Sequence, residues 1–243
     1  MSEYHKQQLE SRLWNIANTL RLSNYLLPTA LIAAFISSPQ TIADMNEWKH
    51  SGLMYIVTTS EGANLPASAL EKNFPLLVRL NQDYFDFSEA KPRGEDIRFS
   101  ANGKSLTYQI ERWDAVGGNA DIWVRIPTIK GNDQQAIKMH WGNDNVPSES
   151  NGEQVFQTTE GFAGVWHLGD NLKDATSNNL DGFNKPDKPT TNITGIIGDA
   201  QEFGVNKLLV IRPPGTKPDR RVTCMPSGNA DRTMSAWVHP TSF

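Results

Sequence analysis

The chain has 243 residues, 23 of them Lys or Arg and 27 Asp or Glu, for a formal net charge of −4. That length holds one large domain or two modest ones, each with its own core, and the basic residues are dispersed among acidic ones, so there is no nucleic-acid footprint. A single cysteine, Cys224, excludes an intrachain disulfide framework and a cysteine-based zinc site.

At the amino terminus, Leu9, Leu13, Ile16 and Leu20 recur at helical spacing and predict a helix. The apolar run from Leu26 to Ile36 has the length of a signal-peptide core and falls short of the roughly twenty residues of a membrane span. Thr41 and Ala43 supply small residues at a cleavage point before Asp44. Residues 1–47 are read as a helix with an export signal, which places the mature chain in the periplasm or at the cell surface. Glu3 and Glu10 dilute the basic charge ahead of the apolar run, so a buried apolar segment of a cytoplasmic protein stays open as the alternative. Gln7 to Arg21 resembles the opening helix of type I restriction-modification DNA methyltransferase subunits. The catalytic Asn-Pro-Pro-aromatic motif of that family occurs nowhere in the chain, and no methyltransferase activity is carried over.

From Trp48 the pattern changes to short alternating runs. "NFPLLVRL" puts Phe74, Leu76, Val78 and Leu80 on one face, "DIRFS" follows a turn, and "LTYQIERW" aligns Leu106, Tyr108 and Ile110. "ADIWVRIP" turns Ile122, Val124 and Ile126 inward, and "AIKMHWG" does so with Ile137, Met139 and Trp141. Asn102-Gly103, Gly117-Gly118 and Lys130-Gly131-Asn132-Asp133 are turn sequences, predicting hairpins near residues 103, 118 and 131. Residues 48–157 are expected to form an antiparallel β-sandwich.

The same runs, with "FDFSEAKPRGEDIRFS" and "IKMHWGNDNVPSESNGEQVF", resemble in order and spacing a bacterial domain family of unknown function. That family commonly stands in front of a concanavalin A-like (laminin G-like) sandwich, sometimes in proteins that also carry a MotA/TolQ/ExbB proton-channel segment. The resemblance implies a family and no activity.

Candidate residues are few. Glu95 and Asp96 are adjacent, and neighbours in a strand point to opposite faces, so they cannot flank one bond as a catalytic pair. Trp123 alternates against the apolar face beside Arg125, which makes these two the candidate outward platform for a ligand; Trp141 is assigned to the core.

In residues 158–243, Gly164 to Leu168 reads as a strand leading into the polar loop "DATSNNLDG". This pattern resembles the opening of laminin G-like and concanavalin A-like lectin/glucanase sandwiches. "GIIGDAQEFGV" resembles the following strand, and "RTMSAWVHPTSF" the next, with Met234, Ala236 and Val238 on one side. The expected architecture is all-β: two antiparallel sandwiches in tandem, the second truncated, after an N-terminal helix. A lone His167 beside an apolar strand reads as a packed side chain. Calcium is the one metal left open, with Asp174 and Asp181 as its candidate ligands, although the spacing is not that of an EF-hand. No other cofactor is expected.

The functional expectation is a non-enzymatic exported protein whose sandwiches recognise a glycan or an envelope protein, or act as spacers. It touches the membrane only through its amino-terminal segment or through sequence beyond Phe243. The alternatives are a glycoside hydrolase whose catalytic part lies elsewhere and the periplasmic part of a MotA/TolQ/ExbB-type proton-channel protein.

Overall fold

The alternation in "NFPLLVRL" and "ADIWVRIP" belongs to two strands that pair with each other. In a computed structural model describing residues 45–211 and 224–240, β2 (Leu70–Asn81) runs antiparallel to β6 (Asn119–Lys130), with Phe74 opposite Ile126 and Val78 opposite Ile122. Of the helix and signal expected over residues 1–47, all but residues 45–47 lie outside the described residues. The fold is all-β.

Two sheets make the sandwich. One has the order β1-β7-β3-β4, built from β1 (His50–Val57), β7 (Gln134–Trp141), β3 (Arg98–Ala101) and β4 (Lys104–Leu106). The other is β2-β6-β5, with β5 spanning Tyr108–Asp114. Side chains of period two from both inner faces meet in one core: Phe99, Ile137 and Met139 from the first sheet, and Phe74, Val78, Leu80, Tyr108, Ile122, Val124 and Ile126 from the second. Each such side chain withdrawn from water stabilises the fold by about 1.5–3 kcal/mol. Trp141 packs on this core and donates Nε1 to Glu89 at 3.1 Å.

Several expectations are corrected in detail. β1 lies among the residues after Trp48 without having been expected as a strand, because its inward Met54 and Ile56 alternate with Leu53 and Tyr55, which are just as apolar. "LTYQIERW" is two strands: Leu106 pairs with Phe99 in one sheet and Tyr108 with Val124 in the other, so the chain changes sheets at Thr107. The turns at 102–103 and 117–118 do close hairpins, with φ of 49° at Asn102 and 72° at Gly103. The turn at 130–133 does not; it carries the chain from β6 in one sheet to β7 in the other. Its backbone is bonded to a neighbouring loop instead, Gly131 N to Ala69 O at 2.8 Å and Asn132 N to Leu65 O at 3.1 Å. A Cβ at Gly131 would stand 1.9 Å from Pro66 O, so only glycine fits there.

Glu95 and Asp96 occupy the turn before β3 rather than the strand itself. Asp96 is fully buried, and its carboxylate accepts the backbone N–H groups of Lys91, Gly142 and Asn143. That is a structural bracket that ties the β2–β3 connection to the end of β7.

Beyond the sandwich come α1 (Gly152–Val155), a single turn capped by the Asn151 side chain, then β8 (Gly182–Asn184), β9 (Thr191–Thr194), β10 (Asp199–Glu202) and β11 (Leu209–Ile211). These short strands pair as β9 with β10 and β8 with β11, both antiparallel. The expected strand at Gly164 to Leu168 is reduced to one bridge, Trp166 to Asp174. The expected strand from Arg232 onward does not form over residues 232–240, where Met234 and Val238 are exposed. Without a neighbouring strand to bond its backbone, period-two patterning alone makes no strand.

Candidate functional site

The outer face of the three-stranded sheet carries a group of polar and aromatic side chains, Gln109, Glu111, Asp121, Trp123 and Arg125. Opposed residues share a face, so Gln109 stands with Trp123 and Arg112 with Asp121, all pointing away from the core. Between Ile110 and Arg112 the register shifts, which marks a bulge at Glu111. The bulge lets Glu111 and Arg112 both stay on the outer face and turns Trp113 inward, against Phe85 and Phe87. Strict alternation from Tyr108 would have left Trp113 outside.

This face is covered by the chain that follows. Val155, Phe156 and Ala175 form a second buried cluster, with Trp123, Phe162 and Val165 packed against it. The Trp123 and His167 rings lie near parallel, with centroids 6.3 Å apart and 22° between planes, and Phe156 meets Trp123 edge-on at 5.8 Å. Trp123, expected as an outward platform, therefore does lie on the outer face, but under the covering segment.

Polar contacts in three places hold the cover down. In the first, His167 Nδ1 lies 2.9 Å from Glu111 Oε2 and Nε2 lies 2.9 Å from Gln109 Oε1, while Trp123 Nε1 donates to the same Glu111 oxygen at 2.5 Å. In the second, Asp121 sits between Arg79 Nε at 3.2 Å and the backbone N–H of Gly198 at 2.9 Å, at the β9–β10 turn. In the third, Arg125 Nη2 reaches Glu160 Oε1 at 3.3 Å, and Asn73 donates to that oxygen at 2.8 Å. Burial pulls the Arg125 guanidinium below its ordinary pKa, and the Glu160 charge opposes the shift. In each of the three places at least one sheet side chain bonds a group of the cover: Glu111 and Gln109 with His167, Asp121 with Gly198 N, and Arg125 and Asn73 with Glu160.

The loop "DATSNNLDG" is built around one carboxylate. Asp174 Oδ1 accepts from Val165 N and Thr176 N, and Oδ2 from Thr176 Oγ1 and Leu180 N, all at 2.9–3.0 Å. Asp181 Oδ1 accepts the Asp174 backbone N–H at 3.0 Å. The two residues expected as calcium ligands are thus engaged in holding the loop itself. Among the described residues no three or more His, Cys, Asp or Glu side chains converge as a metal site.

Residues 93–170 match a family model described as "Domain of unknown function (DUF2341)". The matched stretch contains Glu111 and His167 with β5 and β6, while β1 and β2 lie outside it. No curated protein and no solved structure matches the chain. Among the described residues no helix is long and apolar enough to cross a membrane.

Sequence reasoning singled out Trp123, Arg125 and His167 but missed Glu111, Asp121 and Gln109 as their neighbours. Glu111 falls on the polar side of "LTYQIERW" with Thr107 and Gln109, so alternation marks it as outward and identifies no partner.

Proposed function

We propose that the chain is a non-enzymatic module of an exported protein that serves as a rigid spacer, its sandwich holding the following segment in a fixed orientation. The observation that carries this reading is the occupied outer face of the β2-β6-β5 sheet. The aromatic and charged groups suited to ligand contact, Trp123 and Arg125, are engaged by Phe156, His167 and Glu160 of the same chain. A spacer transmits orientation only if its junction is fixed, and polar contacts in three places around an apolar cluster resist both sliding and lifting.

The test has two arms. Glycan arrays and polysaccharide retention with the full chain are expected to show no binding, and polysaccharide hydrolysis is expected to be absent. Binding abolished by Trp123→Ala, or any hydrolysis, would overturn the spacer reading in favour of recognition or catalysis. Fractionation of the native host tests export, with the expected product in the periplasm or at the cell surface.

A further inference from the structure

The sandwich has four sheet edges, and three of them are protected against pairing with another chain. β2 carries Pro75 with the charged Glu71, Lys72 and Arg79, and is interrupted at Asn73, whose φ is 54°. β5 is covered by residues 150–151, through Ser150 Oγ to Ile110 N and Asn151 N to Tyr108 O. β4 is three residues long and begins at Lys104. Pro, charge, interruption and cover are the usual devices that prevent edge-to-edge association.

β1 has none of them. From His50 to Val57, "HSGLMYIV", it is eight residues long, with no Pro, Lys, Arg, Asp or Glu. Its free backbone groups can be assigned. Thr58 N bonds Asp133 O, continuing the β1–β7 register by one residue. Since the backbone groups of successive residues point to alternate sides, Gly52, Met54 and Ile56 face β7, and Ser51, Leu53 and Tyr55 face outward. Val57 O points the same outward way and accepts Ala63 N. No described residue bonds the N–H and C=O groups of Ser51, Leu53 and Tyr55. Their side chains are exposed, Leu53 at 60% and Tyr55 at 56%.

We propose that β1 is the interface through which two copies of this chain pair, antiparallel about a two-fold axis at Leu53. Only registers that oppose outward-facing residues satisfy the free groups. The central one sets Leu53 against Leu53 and Ser51 against Tyr55, giving about six main-chain hydrogen bonds and joining two four-stranded sheets into one. In that register Lys49 meets Val57, so no like charges are opposed. Leu53 and Tyr55 of the two copies cover one another on the shared outer face, burying the two exposed apolar side chains of the strand. The second copy is favoured over another partner because the strand carries no Lys, Arg, Asp or Glu to repel its own copy, and the free groups of Ser51, Leu53 and Tyr55 satisfy one another in the two-fold register.

The test is sedimentation equilibrium of the full chain up to about 100 μM, alongside Leu53→Lys and Tyr55→Lys. Both substitutions are at exposed positions, and unchanged circular dichroism and melting temperature would establish that the variants fold. The wild type is expected to show a concentration-dependent dimer, weakened at least about tenfold by Leu53→Lys, which sets lysine against lysine on the two-fold axis, and weakened less by Tyr55→Lys, which faces Ser51 and puts a charge where apolar surface would be buried. In a Cys224→Ser background, Leu53→Cys is expected to give a disulfide-linked dimer on mild oxidation, since hydrogen-bonded cross-strand Cα atoms about 5.5 Å apart lie within disulfide reach. Lys138→Cys, on β7, is expected to give none. A wild type that stays monomeric throughout, a dimer untouched by either lysine, or cross-linking at residue 138 and not at 53 would overturn the proposal.

Discussion

His167 of the covering segment and Glu111 of β5 stand 2.9 Å apart, Nδ1 to Oε2, although 56 positions separate them in the chain. The Glu111 side chain is only 7% exposed, and its Oε2 also accepts the Trp123 indole N–H. A carboxylate so buried costs free energy unless it is paired, and here the pair is completed by a residue outside the sandwich. The junction is thereby made specific, since a shift of one residue in the cover would leave a buried charge unpaired.

Removing the carboxylate tests this dependence. Glu111→Ala is expected to lower stability to urea by about 3 kcal/mol, because it leaves His167 Nδ1 and the Trp123 N–H without their partner. His167→Ala costs less, and the double variant less than the sum of the two, by a coupling of about 0.5–3 kcal/mol. Strict additivity in the urea titrations would mean that the two side chains do not act as a pair.

The Asp174 loop makes a second prediction. Asp174→Asn replaces one acceptor oxygen by an amide that must face Leu180 N–H, a donor, and is expected to cost about 1–3 kcal/mol. Because both carboxylate oxygens already accept two bonds each, calcium or a chelator is expected to leave the thermal midpoint of the wild type unchanged. A midpoint raised by calcium and unresponsive in the variant would instead mark the loop as a calcium site.

Truncation asks where the folded unit ends. A chain stopped at Gln157 retains every strand of the sandwich but uncovers Trp123, Phe156 and Val155 and leaves Glu111 without His167. It is expected to unfold at lower urea concentration than a chain carried through Glu202, and to exchange the Trp123 indole proton faster. Equal midpoints would show that the cover contributes nothing to the sandwich.

His140 supplies the pH dependence. Burial, with the nearby Lys138 charge, holds its pKa below the ordinary 6.5, and its Nε2 lies 3.1 Å from Ser100 Oγ. A depressed value means the folded state favours the neutral ring. The corresponding stability is therefore complete above the unfolded-state value and is lost as pH falls below it through the folded-state value. His140→Gln is expected to flatten the fall in stability as pH drops below about 6.5; an unaltered slope would exclude this residue as its source.

The sequence by itself determined the all-β class, the inward faces of β2, β6 and β7, and the turns at 102–103 and 117–118. Those features are local: period-two alternation selects a face, and Asn-Gly or Gly-Gly tolerates positive φ, whatever lies elsewhere in the chain. What the tertiary structure decided were matters of partnership. The turn at 130–133 has turn residues but crosses between sheets, because its backbone bonds are made to residues 65–69. Residues 232–240 alternate like a strand yet form none, since a strand needs a neighbour. Trp123 was placed on the correct face, but that it lies beneath Phe156 and His167 depended on a bulge at Glu111 and on a segment more than thirty positions away. Alternation records which way a side chain points; only packing records what it meets.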